Sequence, residues 1–326
     1  MRNEIFKRKI LILYVITLFL IFIYLTPFSE AHILIVADAD NTTPEAYDVL
    51  HATANALKSQ GYNVLELYGD NATTKNIIKG MYNADAVIYG GHGGYQYGHY
   101  DGNGGPATAP FALVGSDGFI WGVGDKMQVG WYGNLFQAPF KPNIPVILYG
   151  ACFSTGWVED KEVSNPIETI YNFSEMFTGA GANYYATAFT ESYKGNQIVE
   201  VVAQFLNGAS NFGDANQNKI LGKITKSTNY NGHAIWHNDR GYSAFVGNWN
   251  GTFPKASQTS PYDDMAAEKW YDNAVSNSST SFLSFSGASD YSQFTLDKIF
   301  AEIYNSLIII KNAVLNFVNH VNLDIK

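Results

Sequence analysis

Short apolar runs recur along residues 32–189, and stretches with helical signals separate most of them. The predicted strands cover 32–37, 62–68, 84–89, 144–149 and 182–189, and the predicted helices cover 44–57, 73–82, 165–177 and 197–206. The first run is apolar at every position after His32, which is typical of a strand buried on both faces of a sheet. Strands that alternate with helices predict βαβ units. We therefore expect an α/β fold: a doubly wound, mainly parallel sheet with helices on both faces.

Residues 95–143 interrupt this alternation and are rich in glycine and aromatic residues. Two apolar runs, Phe111–Val114 and Phe119–Val123, flank a Gly-Ser-Asp-Gly turn signal, which predicts a β-hairpin. We expect this insertion to rise above the edge of the sheet and to form one wall of a cleft. Its Tyr and Trp residues belong either to a core or to a surface that contacts a glycan.

The N-terminus has the layout of an export signal. Positive residues within 1–9 precede an apolar stretch from Ile10 to Leu25, and Ser29-Glu30-Ala31 fits a signal-peptidase cleavage site. This stretch is long for a signal peptide and short for a full membrane span. Cleavage after Ala31 and an uncleaved membrane anchor through residues 10–25 are the two export alternatives, and a buried core helix, which the flanking charges fit badly, is the third interpretation. Both export alternatives place the rest of the chain outside the membrane, extracellular or at the cell surface, because the positive end stays inside.

Five Asn-x-Ser/Thr triplets follow the export segment, which is the acceptor pattern of a glycoprotein, although an Asn-rich chain also makes such triplets by chance. Their asparagines are Asn41, Asn71, Asn172, Asn250 and Asn277. The net charge of −9 argues against a nucleic-acid partner, because phosphate binding requires clustered Lys and Arg.

The remaining boundaries follow from composition. Residues 1–31 form the export segment, 32–254 one folded domain, 255–293 a Ser- and Asn-rich linker, and 294–326 a C-terminal amphipathic helix. In that helix, apolar residues between positions 300 and 321 alternate three- and four-residue steps. It either packs on its own domain or mediates self-association or contact with a membrane surface.

The chain has one cysteine, whereas exported chains of this size usually have none or an even, paired set. Cys152 follows the predicted strand 144–149, and His92 follows the predicted strand 84–89. Since the carboxyl ends of parallel strands meet at one edge of a sheet, we expect these two side chains to gather there, together with Asp38. The plain alternatives are a small buried thiol and a histidine in a strand-end turn.

A cysteine beside a histidine is suited to nucleophilic catalysis. A thiol with an ordinary pKa of about 8.5 is only a few per cent thiolate at neutral pH. A neighbouring imidazole raises that fraction and can later protonate a leaving amine. The glycines beside His92 allow close approach of the backbone to a substrate. The sequence therefore predicts Cys152 as nucleophile and His92 as base.

Two segments, Val87-Ile-Tyr-Gly-Gly-His-Gly93 and Val146-Ile-Leu-Tyr-Gly-Ala-Cys152, resemble the superfamily of caspases, legumain, gingipains, clostripain and separase. The resemblance covers about residues 32–250 and includes 173–182, which are similar to the segment after the gingipain cysteine. It implies a caspase-like (flavodoxin-like) fold and a cysteine endopeptidase. It also implies that the backbone N–H groups of Gly93 and Cys152 bind the oxyanion. The chain departs from the pattern after Cys152, where the glycine is delayed to Gly156.

In the superfamily that the chain resembles, the residue before the scissile bond dominates recognition, and its pocket draws partly on the loop after the first strand. Here that loop contains Asp38 and Asp40, and a desolvated carboxylate favours a cationic side chain. We therefore expect cleavage after Arg or Lys. The alternative is that both aspartates form a turn before the helix that begins at Pro44. A transpeptidase on the same Cys–His pair and an inactive cell-surface binding protein are the competing functions.

No cofactor is required for this chemistry, and we expect no metal. His233 and His237 lie four residues apart on a predicted strand, which favours structural or surface roles over metal binding. Asp214-x-Asn216-x-Asn218 begins like an EF-hand loop, but Lys219 and Thr225 stand at its sixth and twelfth positions. A loosely bound calcium ion in one of the Asp/Asn/Gly loops is the alternative. The expected partner is a protein or peptide substrate.

Overall fold

The computed structural model describes residues 32–95, 105–131, 133–158, 161–189 and 197–278. The predicted export segment 1–31 and the predicted C-terminal helix 294–326 lie outside the described residues.

Fifteen strands and six α-helices are present in the described part of the chain. The strands are β1 (Ile33–Ala37), β2 (Val64–Tyr68), β3 (Ala86–Gly90), β4 (Gly93–Tyr95), β5 (Phe111–Gly115), β6 (Gly118–Val123), β7 (Lys126–Val129), β8 (Phe136–Gln137), β9 (Pro145–Tyr149), β10 (Trp157–Val158), β11 (Lys161–Glu162), β12 (Asn183–Thr187), β13 (Lys226–Tyr230), β14 (His233–His237) and β15 (Ser243–Val246). The helices are α1 (Pro44–Ser59), α2 (Thr74–Met81), α3 (Pro166–Thr178), α4 (Glu200–Leu206), α5 (Phe212–Gln217) and α6 (Asp264–Ser276).

Eight strands form the main sheet, in the order β13-β14-β15-β12-β9-β3-β1-β2. The five strands from β12 to β2 pair in parallel, and β15, β14 and β13 extend the sheet in antiparallel pairs. Every residue of β1, β3, β9 and β12 is buried, as a parallel sheet covered on both faces requires. The predicted α/β fold with a large, mainly parallel sheet is therefore confirmed.

Alternate residues of β1 divide the core into two layers. Leu34 and Val36 face a layer that includes the apolar residues of α2 and α3, whereas Ile33 and Ile35 face a layer that includes those of α1, α4 and α5. This alternation follows from the two-residue period of a strand. It places helices on both faces of the main sheet.

A second, antiparallel sheet of five strands, β4 to β8, contains the predicted hairpin as β5 and β6. It packs closely on α3, because a Cβ atom on Gly122 would lie 2.1 Å from Cβ of Met176. Phe111 and Trp121 in this sheet are buried and so belong to the core. Since β3 ends at Gly90 and β4 begins at Gly93, His92 lies at the junction of the two sheets.

The predicted linker 255–293 is wrong for residues 264–276, which form α6. This helix is tied to α2 by Lys79, whose Nζ lies 2.7 Å from Asp264 Oδ1 and 2.6 Å from Glu268 Oε2. The rings of Tyr82 and Trp270 stack at 5.0 Å between centroids. Asp263 caps the helix by accepting hydrogen bonds from two backbone N–H groups in its first turn. Ala267 is the one residue of this helix that is buried, so the helix packs on the domain mainly through ion pairs and partly buried rings rather than through an apolar face.

Candidate active site

Consecutive strands of the main sheet end side by side and bring their following loops to one edge. Ala37 pairs with Gly90, Gly90 pairs with Tyr149, and Tyr149 pairs with Thr187. Backbone hydrogen bonds continue just past these ends, from Gly91 N to Tyr149 O at 3.3 Å and from Gly150 N to Thr187 O at 2.7 Å. The loops that carry Asp38, His92 and Cys152 therefore begin along the same edge, as the topology of parallel sheets predicts.

Gly93 lies directly against the backbone of Cys152. A Cβ atom at Gly93 would lie 2.2 Å from the carbonyl oxygen of Cys152 and 3.0 Å from its nitrogen. No side chain fits between these two backbones, so the glycine is needed for the close approach. The structure thus brings together the His-Gly and Ala-Cys segments that stand 60 residues apart in the sequence.

His92 is held by the loop that follows β1. Its Nε2 atom lies 2.9 Å from Thr42 Oγ1 and 3.8 Å from Asp40 Oδ2. The Thr42 hydroxyl donates its single proton to Asp40 Oδ1 at 2.8 Å, since an ionised carboxylate can only accept. The hydroxyl oxygen must then accept the Nε2–H of His92. This arrangement leaves Nδ1 as the basic nitrogen of the neutral ring.

Tyr89 fixes the backbone of His92 from within the core. Its hydroxyl lies 2.8 Å from the carbonyl oxygen of His92, 2.9 Å from that of Val114, and accepts the N–H of Val114 at 3.0 Å. Burial is the main cause that raises the pKa of this hydroxyl above its ordinary value, and negative charge on Asp40 and Cys152 adds to the effect. Tyr89 therefore stays protonated and joins the His92 turn to β5.

Cys152 is half-buried and begins a tight turn that ends at Gly156. Phe153 has a φ of +70°, an uncommon conformation for a bulky side chain. Its ring packs against Tyr95 at 4.8 Å and Phe111 at 5.9 Å between centroids, and its N–H donates to Trp157 O at 2.6 Å. These contacts stabilise the strained turn. Phe153 thus adopts a left-handed conformation itself, and the glycine follows later, at Gly156.

The two aspartates expected in a substrate pocket have partners within their own loop. Oδ1 of Asp38 accepts hydrogen bonds from the N–H and the hydroxyl of Thr43, at 2.5 and 3.1 Å. Asp38 therefore stabilises the start of α1, in line with the turn that the sequence left as an alternative. Asp40 instead accepts the hydroxyl of Thr42 and lies near the imidazole of His92.

Thr42 and Tyr89 are the two residues at this site that sequence reasoning missed. Tyr89 is part of an apolar run and looks like ordinary core. Thr42 stands between the two aspartates and the helix start, and its position in the loop after β1 was the signal available. The partner of Thr42 becomes evident only when the sheet brings residues 42 and 92 together, and the partners of Tyr89 only when its hydroxyl reaches His92 and Val114.

Among the described residues, no group of three or more His, Cys, Asp and Glu side chains is arranged to hold a metal ion. Asp214, which begins the EF-hand-like stretch, lies in α5 and accepts a hydrogen bond from the Ser210 hydroxyl. None of the helices in the described ranges is long and apolar enough to cross a membrane. No protein-family model, curated protein or solved structure matches this chain significantly.

Proposed function

We propose that this chain is an exported cysteine endopeptidase with a caspase-like fold, in which Cys152 is the nucleophile and His92 the base. The observation that carries the proposal is the contact of Gly93 with the Cys152 backbone, which joins the two strand-end segments at the edge where α/β folds place their chemistry. The hydrogen bonds of His92 to Thr42, and of Thr42 to Asp40, support it.

The reaction uses the free nitrogen of the oriented imidazole. Nδ1 of His92 takes the thiol proton of Cys152, and the thiolate attacks the carbonyl carbon of the peptide bond. The N–H groups of Gly93 and Cys152 donate to the oxyanion that forms. The imidazolium then protonates the leaving amine as the C–N bond breaks. Water attacks the resulting thioester, with His92 as base, and releases the acid and the thiol.

Orientation of His92 is the role that we propose for Asp40 and Thr42. The carboxylate stabilises the imidazolium through the intervening hydroxyl, as an orienting acid does in other nucleophile–base pairs. The expected preference for Arg or Lys through Asp38 and Asp40 loses support, since both carboxylates already have partners.

The test exploits the single cysteine of the chain, because alkylation by iodoacetamide then reports on Cys152 alone. We expect Cys152→Ala to abolish peptide cleavage and His92→Ala to slow both cleavage and alkylation at pH 7. The double variant should be little worse than either single one, because the pair acts as a unit. The matched control is His233→Ala, an exposed histidine in β14, which should leave both rates unchanged.

Three results would redirect the proposal. Cleavage that persists in Cys152→Ala excludes the thiol mechanism. Transfer of the acyl group to an added amine in preference to water identifies a transpeptidase. An unreactive Cys152 that shows the same alkylation rate with and without His92 identifies an inactive binding protein. Export is tested separately by protease shaving of intact cells, in which protection of the domain until lysis contradicts it.

A further inference from the structure

The loop after β12 reaches the same sheet edge as Cys152, on the side of β9 opposite His92. Phe189 lies two residues beyond the end of β12. Its carbonyl oxygen accepts a hydrogen bond from the Tyr149 hydroxyl at 2.5 Å, and its ring meets the Tyr149 ring edge-on at 5.4 Å. Tyr149 is the last residue of β9, so Phe189 is anchored to the strand that leads into Cys152.

The ring of Phe189 lies over Gly150. A Cβ atom at Gly150 would be 2.0 to 2.3 Å from three atoms of this ring. Gly150 also has a φ of +74°, which disfavours any side chain for a second reason. Gly150, two residues before Cys152, therefore has no side chain, and the ring of Phe189 packs over its backbone.

This ring is also exposed to solvent. Phe189 is 38% exposed, although its backbone and one edge of its ring are fixed. Five large apolar residues in the described ranges are exposed: Tyr47, Phe189, Ile220, Met265 and Val275. Of these, Phe189 is the one that packs on the segment entering Cys152. An anchored ring beside a nucleophile offers a surface on which an apolar side chain can be buried.

We propose that Phe189 forms a wall of the substrate pocket and selects an aliphatic or aromatic side chain at the residue whose carbonyl Cys152 attacks. The inference rests on the proposed peptidase function and names its substrate class. Because Asp38 and Asp40 have partners in their own loop, an apolar preference replaces the basic one expected from the sequence.

The experiment measures the rate at which peptidyl acyloxymethyl ketones label Cys152 of the full chain, followed by mass spectrometry. Three probes carry Leu, Lys or Asp next to the ketone. The wild type should react fastest with the Leu probe. Phe189→Ala should slow that probe about 10-fold, in line with the loss of one apolar contact in a specificity pocket. The Lys and Asp probes should change less than about 2-fold, and Phe189→Leu should restore most of the rate.

Two controls separate the outcomes. Val275→Ala removes an apolar side chain of equal exposure in α6 and should change nothing. Iodoacetamide has no side chain to be recognised, so its rate with Phe189→Ala should equal that of the wild type.

A Lys or Asp preference, or a Leu preference that survives in Phe189→Ala, overturns the inference and leaves the peptidase proposal intact. Equal slowing of iodoacetamide also overturns it, because Phe189 would then support the Cys152 turn. If no probe labels Cys152, both proposals fail.

Discussion

Replacing Gly93 with alanine tests the contact on which the candidate active site depends. The added Cβ atom would lie 2.2 Å from the Cys152 carbonyl oxygen, whereas real Cβ contacts essentially never fall below 3.0 Å. The two backbones must therefore separate by about 0.8 Å or more, and neither is the flexible end of a side chain. Gly93 does not have a left-handed φ, so the effect of the methyl group is steric.

A displacement of this size at reacting groups costs on the order of 100-fold in rate. That factor corresponds to about 2.7 kcal/mol of transition-state stabilisation. We expect kcat/KM for a cleaved peptide to fall by this amount in Gly93→Ala. Forcing a methyl group into a filled space should also lower the free energy of unfolding by about 1 to 3 kcal/mol.

The neighbouring residue in β4 provides the matched control. A Cβ atom at Gly94 would meet its nearest atom, in the ring of Phe119, at 3.5 Å, which is an ordinary van der Waals contact. Gly94→Ala should therefore retain activity to within a few-fold. Peptide hydrolysis, alkylation of Cys152 and urea unfolding are measured for both variants. A folded Gly93→Ala with the wild-type rate, or an equal loss of activity in Gly94→Ala, refutes the reasoning.

Three further predictions concern single side chains. Thr42→Val should lower kcat/KM about 10-fold through loss of one hydrogen bond to His92, and Thr42→Ser should restore it; equal rates in the two variants contradict an orienting role. Tyr89→Phe should lower the free energy of unfolding by about 1 to 3 kcal/mol, because the N–H of Val114 loses its acceptor, and a urea midpoint equal to that of the wild type counts against this. Burial lowers the pKa of His32 to about 4, so its neutral form stabilises the fold fully above pH 6.5 and this stability is lost as the pH falls towards 4. Urea unfolding should show a loss of about 2 kcal/mol between pH 7 and pH 5 that is absent in His32→Gln, whose amide can still donate to the main chain.

The five parallel strands of the main sheet and helices α1 to α4 were predictable because each has its own periodicity, whereas the antiparallel strands β13 and β15 were not predicted. Buried runs such as 33–37 and 145–149 read directly as strands, and Pro44 marks the start of α1. Helix α6 was not predictable in the same way. Its stability depends on ion pairs with Lys79, a residue almost 200 positions away, and on a few aromatic contacts. Such contacts between distant residues cannot be predicted from amino-acid composition.

The residues of the candidate site fall into the same two groups: those that local sequence predicts and those whose positions depend on contacts between distant segments. Cys152, His92 and Gly93 follow from strand ends, since topology alone brings these to one edge. The positions of Asp40 and Thr42 relative to His92 depend on how one loop folds back on another. The left-handed conformation of Phe153 likewise depends on aromatic packing from the second sheet, which no local motif signals.

Asp40 cannot serve at once as an orienting group for His92 and as the anchor for a cationic substrate. Its Oδ1 atom accepts the Thr42 hydroxyl, and its Oδ2 atom lies 3.8 Å from the imidazole. A substrate lysine that captured this carboxylate would compete for the charge that supports the imidazolium. Binding would then weaken the base that catalysis requires, so that tighter binding would lower the rate of the chemical step. The other side of Cys152 has no such conflict, because within the described residues Phe189 accepts its hydrogen bond from Tyr149 and makes none with His92. Under the proposed function, this separation would give the edge a polar side that holds the base and an apolar side that receives the substrate.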